Sequence, residues 1–430
     1  MDTNATKTPV TLPFAAWQSL SPAEAARTLH ERLSSLPENF RRAAVAWLKP
    51  ESALAEELSR ARALATPLAG VPYALKDLFD LAGVPTQAGS TFLADARGLA
   101  SGDSALVTHL QRIGAACAGK THLVEFAAGL FGDNAHYGDC PHPTHANRLS
   151  GGSSSGSASL VGAGVVPLAI GTDTGGSVRV PAAFCGVYGF RLTPHDAFIR
   201  DAMPLSQTLD TAGWFTSHAT DLLAVNSALL GPSKSPATVE LRGAYLPARA
   251  FDIAFDPETA AAYDRAASAL ATPLKADVSG AFFASWKNNL EAYTVTALSE
   301  AHAIHQAWLA PYRDHYEPSI WQRFTNGGLY SPAQLADARA TLEAVRAVFA
   351  SYFADYDYLI LPATPFPALR KSECTPAARQ ALLTLTAPAS LAGRPVLTIP
   401  VGLPSGLTTG LQVIVRDPTN LAVAALLKAQ

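Results

Sequence analysis

Four cysteines in 430 residues, Cys117, Cys140, Cys185 and Cys374, are too few for a disulfide framework, and none stands in a CxxC pair. That scarcity implies reduced thiols and a cytoplasmic setting. Charge is also thin: 16% of residues are charged and the net charge is −3, so no basic surplus recruits nucleic acid. No apolar run approaches the roughly 20 residues of a membrane-spanning helix. The most apolar one, residues 160–170, is broken by Gly162, Gly164 and Pro167. The opening MDTNATKTPVTLPFAAW has neither the basic leader nor the apolar core of a signal peptide, so none is expected. Internal repeats, charge blocks and Gly/Ser linkers are missing too, which points to one continuous domain. What remains is a chain that is 48% hydrophobic, able to bury a large core, with a balance that suits a small uncharged substrate.

Periodicity predicts an α/β chain. Residues 21–64 carry Ala, Leu, Glu and Arg at helical spacing, and Ser21-Pro22 supplies a cap and a first-turn proline, so residues 1–65 are expected to form a helical segment packed on the core. Val71 to Leu75 reads as a buried strand that delivers Lys76-Asp77 at its end. Leu106 to Ile113 and then Ala115 to Gly119 read as helix followed by strand. Alternation of this kind predicts a sheet covered by helices. Residues 216–350 read as a mostly helical, aromatic-rich insertion, after which strands return at Tyr358–Leu361 and Val396–Pro400.

Gly151 to Pro181, GGSSSGSASLVGAGVVPLAIGTDTGGSVRVP, sets two Gly/Ser clusters around a short apolar segment. Bare glycine backbone lets serine oxygens and amides approach a ligand closely. Two such clusters this near each other suggest one site. A serine hydroxyl needs a base before it is nucleophilic. Gly152 to Gly156 matches G-x-S-x-G, but the polar Asn147-Arg148-Leu149-Ser150 upstream is not the hydrophobic strand that a nucleophile elbow follows. Lysine offers another base. Lys76 lies between Leu75 and Phe79, and an ammonium in an apolar wall loses its proton near neutral pH.

Five pieces taken together resemble the amidase signature family. They are Leu75-Lys76-Asp77, Gly151 to Ser157, Gly171 to Pro181, Cys185-Gly186 through Phe190-Arg191, and Asp210 to Gly213, with Pro388 to Gln412 similar to the family's closing strands. The resemblance implies the amidase signature fold, a central mixed β-sheet with helices on both faces, over residues 66–430, the variable region being about 216–350. It also implies a Ser-cisSer-Lys triad in which Ser177 is the nucleophile, Ser153 the bridging serine and Lys76 the base. The backbone of Thr174, Gly175, Gly176 and Ser177 would form the oxyanion hole. Asp173 and Arg179 would brace the loop as an ion pair, with Ser154 in support. No cofactor and no metal are implied. The expected partner is a small amide, cleaved to acid plus ammonia or amine by a monomer or homodimer without membrane or nucleic acid; carbamate or ester cleavage and an amidotransferase A-type role are the alternatives.

Asp133 to Gly138 and Gly213-Trp214-Phe215 look more like compact amidases of arylacetamide-type substrates than like the amidotransferase subunit, which commonly has Gln where this chain has Val180. Aromatics between 282 and 330 could then line an aryl pocket, with Phe131 and Gly129 as wall residues, although aromatics at helical spacing are more often core. His136, Cys140, His142 and His145 fit no common metal spacing and read as a polar loop. A Cys140, Glu125, Lys120 arrangement of nitrilase type lacks any matching context.

Overall fold

Strands covered on both faces read as near-continuous apolar runs, and the central strands here do so. The computed structural model describes residues 9–231, 241–419 and 421–430. Its strands are β1 (Val45–Leu48), β2 (Val71–Lys76), β3 (Ala115–Thr121), β4 (Leu168–Asp173), β5 (Tyr188–Arg191), β6 (Thr211–Thr216), β7 (Gly243–Tyr245), β8 (Thr272–Pro273), β9 (Tyr358–Pro362), β10 (Val396–Gly402) and β11 (Thr408–Val415). They form one sheet in the order β1-β3-β2-β4-β6-β5-β10-β11-β9-β7-β8. The sheet is mixed: β2 is parallel to β3 and β4, and β7 to β8 and β9, while the other neighbours are antiparallel.

Side chains alternate across a strand with period two, and that alternation divides the core. Tyr73, Leu75, Leu168, Ile170 and Trp214 bury one face against helices that include Ala105–Arg112 and Ala219–Leu230. Ala74, Ala116, Ala118, Ala169 and Phe215 face the other way, toward the N-terminal helices and helix Ser155–Gly162. Small residues dominate this second face because a helix lies close on it. A Cβ on Gly156 would come within 2.3 Å of the Ala44 carbonyl oxygen. Helices Ala276–Trp286, Asn289–His305, Pro332–Asp355 and Pro376–Leu391 cover the far end of the sheet over Leu359, Leu361, Val396 and Ile414.

The expected cap at Ser21 is present: its hydroxyl accepts from the Glu24 amide at 3.3 Å and Glu24 returns the bond at 2.8 Å. Two stretches differ from the periodicity. Val45–Leu48, inside the region read as helical, pairs with β3, and the region read as a helical insertion adds β7 and β8 to the sheet edge. Both are strands of four residues or fewer, too short for a period to emerge beside longer helices.

Candidate active site

β2 ends by placing Lys76 in the interior, fully buried. Its Nζ lies 2.8 Å from Ser153 Oγ, 3.0 Å from Ser154 Oγ and 2.8 Å from Thr172 Oγ1, with no carboxylate of the described residues in ion-pair range. Burial pulls the amine down to about 7, against the opposing pull of the Asp210 and Asp173 carboxylates. The neighbouring Asp77 is separated in role: its Oδ1 pairs with buried Lys120 at 2.5 Å. The three hydroxyls around Nζ are not equivalent. Ser154 Oγ donates to the Thr172 carbonyl at 3.1 Å, so its proton is spent and it can only accept from Lys76. Ser153 Oγ has no other partner among the described residues, which leaves its proton available to a neutral amine. The Gly152–Ser153 peptide is cis.

The second loop is organised by Asp173. Both carboxylate oxygens are spent on the loop and on two guanidiniums: Oδ1 accepts from the Gly176 amide at 2.8 Å, from Arg179 Nη2 at 2.7 Å and from Arg191 Nη1 at 2.7 Å, and Oδ2 from the Val178 amide at 3.0 Å and Arg179 Nε at 3.0 Å. Burial alone would raise this carboxyl, but Arg179, Arg191 and the amides outweigh it and hold it far below the usual carboxylate range. Arg179 continues the network to the Thr386 carbonyl, Gln412 Oε1 and Ser390 Oγ, tying the loop to helix Pro376–Leu391 and to β11. Removing one partner from such a buried cluster strands uncompensated charge. Asp173→Ala should therefore lose about 3–5 kcal/mol of stability in a urea titration; a loss under about 1 kcal/mol would remove Asp173 from this bracing role.

One consequence alters the expected oxyanion cradle. The Gly176 amide donates to Asp173 and is not free to face a ligand, whereas the Thr174, Gly175 and Ser177 amides donate to no group among the described residues. Thr174 is pinned separately, its hydroxyl 2.5 Å from buried Asp210. Glycine is required at 175 because the Tyr293 ring fills the space of a Cβ, 2.3 Å from its hydroxyl oxygen. The Ser154 amide donates to the Ser177 carbonyl at 3.4 Å, which brings the two Gly/Ser clusters together.

Ser177 opens on a cavity of about 80 Å³ walled in part by Ala127, Leu130, Leu205, Tyr293 and Ala297. Gly129 lines both this chamber and a larger outer basin of about 460 Å³; Phe131 lines only the basin. The aromatics between 282 and 330 divide between cavity walls and core. Of these, Tyr293 lines the Ser177 chamber, while Phe283 and Trp286 line a separate cavity of about 610 Å³. Phe282 and Trp286 pack with Phe349, and Phe324 packs with Phe126 and His305. Phe282 and Phe324 are wholly core, which helical spacing alone does not distinguish from a pocket lining.

The polar loop at 136–145 holds its own side chains. His136 Nε2 is 3.0 Å from Glu125 Oε1, His142 Nε2 is 2.7 Å from the Phe184 carbonyl, and His145 Nδ1 is 2.9 Å from Thr144 Oγ1. Among the described residues no three His, Cys, Asp or Glu side chains converge on a metal position. Cys140, Glu125 and Lys120 do not form a unit, since Lys120 is bound to Asp77 and Glu125 to His136. No helix among the described residues is long and apolar enough to cross a membrane.

Residues assigned no role from the sequence complete the site: Thr172 on Lys76, Arg191 on Asp173, Asp210 on Thr174, and Arg323 and Arg379 beside the Ser177 chamber. Thr172 follows from position alone, since it precedes the loop on β4 next to β2. Arg323 and Arg379 come from helices more than 140 residues beyond Ser177, and no local pattern announces them.

The chain and its fold are similar to known proteins. A family model of amidases matches residues 24–418. The 1-carboxybiuret hydrolase subunit AtzE of Pseudomonas sp. (strain ADP) is 33% identical over 81% of this chain and 80% of its own. Indoleacetamide hydrolase of Pseudomonas syringae pv. syringae is 41% identical over 40% of this chain and 38% of its own. A solved amidase superposes with a TM-score of 0.82 at 29% identity, covering 96% of each chain. The chain belongs to the amidase family, with the amidase signature fold. It is a hydrolase that acts on amides.

Proposed function

We propose that Lys76, Ser153 and Ser177 carry out this hydrolysis as a proton relay, splitting the C–N bond of a small carboxylic amide into acid and ammonia or amine through an acyl group on Ser177. The observation that carries the reading is the fully buried Lys76, held by hydroxyls alone. Neutral Nζ takes the Ser153 proton, Ser153 takes the Ser177 proton, and Ser177 Oγ attacks the carbonyl carbon. The Thr174, Gly175 and Ser177 amides receive the developing oxyanion without reorganising, because the Asp173 network already fixes their loop. The amine departs with the proton returned through Ser153. Water then enters, gives its proton to the same relay, and releases the acid.

The pH profile tests the base. Only unprotonated Lys76 can start the relay, and its amine titrates at about 7. With a neutral amide, kcat/KM should climb about tenfold per pH unit below that point and level off above pH 8. A profile that is flat from pH 5 to 9, or highest in acid, would remove Lys76 from the base role.

A further inference from the structure

The Ser177 chamber is mostly apolar, walled by residues such as Ala127, Leu130, Leu205, Ala297 and Leu298, but two guanidiniums reach it. Arg323 extends from helix Pro318–Gly327 and Arg379 from the first turns of helix Pro376–Leu391. Both also line the outer basin, so they stand where the basin narrows into the chamber. Both are half-buried. Their charges are close enough to oppose one another: burial first, and then Arg379, push Arg323 down to about 10.

Among the described residues neither is neutralised by an ion pair. Arg323 donates to the Ala128 carbonyl at 2.7 Å and, more weakly, to the Ser319 carbonyl at 3.4 Å. The Arg379 side chain makes no hydrogen bond or ion pair among the described residues, and its Nε is buried without a partner. Carboxylates do line the outer basin, and each is engaged elsewhere. Asp133 and Asp139 hold Lys371 at 3.4 and 2.9 Å. Glu125 holds His136 and the Glu317 amide, and Glu317 caps its own helix at Ile320. Glu317 and Asp133 act on Arg323 only at a distance, and two like charges in a partly dry neck, with unspent donors and no ion pair among the described residues, are unfavourable until an oxyanion fills them.

We propose that Arg323 and Arg379 bind a carboxylate of the substrate, so that the amide this enzyme takes is a small anion whose carboxylate sits at the neck while its carbonyl faces Ser177. The location rests on the reading of Ser177 as nucleophile. This departs from the small uncharged substrate that the charge balance suggests. An average over 430 residues does not register two arginines in one neck.

Binding tests the proposal apart from the chemistry. Malonamate, succinamate and glutaramate would be titrated calorimetrically, each against its neutral methyl ester, into the Ser177→Ala protein. For at least one chain length the anion should bind about 10- to 100-fold more tightly than its ester. In Ser177→Ala/Arg379→Gln, and in Ser177→Ala/Arg323→Gln, that preference should vanish, with thermal unfolding confirming that each variant is folded. Equal binding at every length, or a preference that survives both substitutions, overturns the proposal. Inorganic phosphate is the further arm: Arg379-dependent phosphate binding with no preference for any monoamide would assign the neck to a free oxyanion and overturn it as well. Hydrolysis of the titrant by Ser177→Ala would count against the nucleophile assignment, which the affinity comparison leaves separate.

Discussion

Replacing Ser177 with alanine should lower kcat for an amide substrate by roughly 10⁵-fold or more while leaving the unfolding midpoint unchanged. The first half follows from chemistry: with the attacking oxygen gone, no acyl group can form, and the amides of the loop can only polarise a carbonyl that nothing attacks. The second half follows from packing. The Ser177 hydroxyl makes no hydrogen bond among the described residues, so its loss orphans no buried partner. Mass spectrometry during turnover should find the acyl increment on the peptide containing Ser177 in the wild type alone. Residual turnover within about tenfold of wild type, or an acyl group found on Ser153, would relocate the nucleophile.

The same contrast explains what was legible in the chain. Lys76, Ser153 and Ser177 stand in dense local patterns, a strand end and two Gly/Ser clusters, because close approach of backbone to a ligand demands glycine and leaves a written trace. Asp173 and Arg179 were readable as a pair for the same reason, only six positions apart. Their third partner was not, because Arg191 reaches Asp173 through the pairing of β4, β6 and β5, a tertiary fact. The central strands were legible from continuous apolar runs. β1, β7 and β8 were not, since short strands at or next to a sheet edge owe their state to the neighbours they pair with. The aromatics between 282 and 330 left both readings open for a physical reason: a helix lining a pocket and a helix lining a core bury the same stripe, and only the packing partner separates them. The Gly176 amide is a finer case. A Gly-Gly step signals exposed donors, but which donor the fold spends on itself depends on where the Asp173 carboxylate lies.

Lys76→Met should reduce kcat/KM by about 10⁴-fold at pH 8, and it should also reshape the pH dependence of stability. The loss of rate reflects the missing base, since methionine fills a similar volume but accepts no proton. The stability effect follows from linkage. The amine titrates at about 7 in the folded protein and at about 10.4 in an unfolded chain, so between those values the unfolded state binds the extra proton. The penalty for burying the amine is thus fully present below pH 7 and fades as pH rises toward 10. Wild-type stability gains from this group on going alkaline, and the methionine variant has no such gain. Unfolding titrations at pH 7, 8 and 9 should show the variant's stability relative to wild type falling by up to about 1.4 kcal/mol per pH unit. The absolute offset is set by competing terms, because methionine removes the burial penalty but leaves Ser153 and Thr172 without their Nζ partner. The slope is free of that competition, as neither hydroxyl titrates in the range. A difference that stays constant from pH 7 to 9 would mean that Lys76 is protonated in the fold, and the relay would then have no base to begin it.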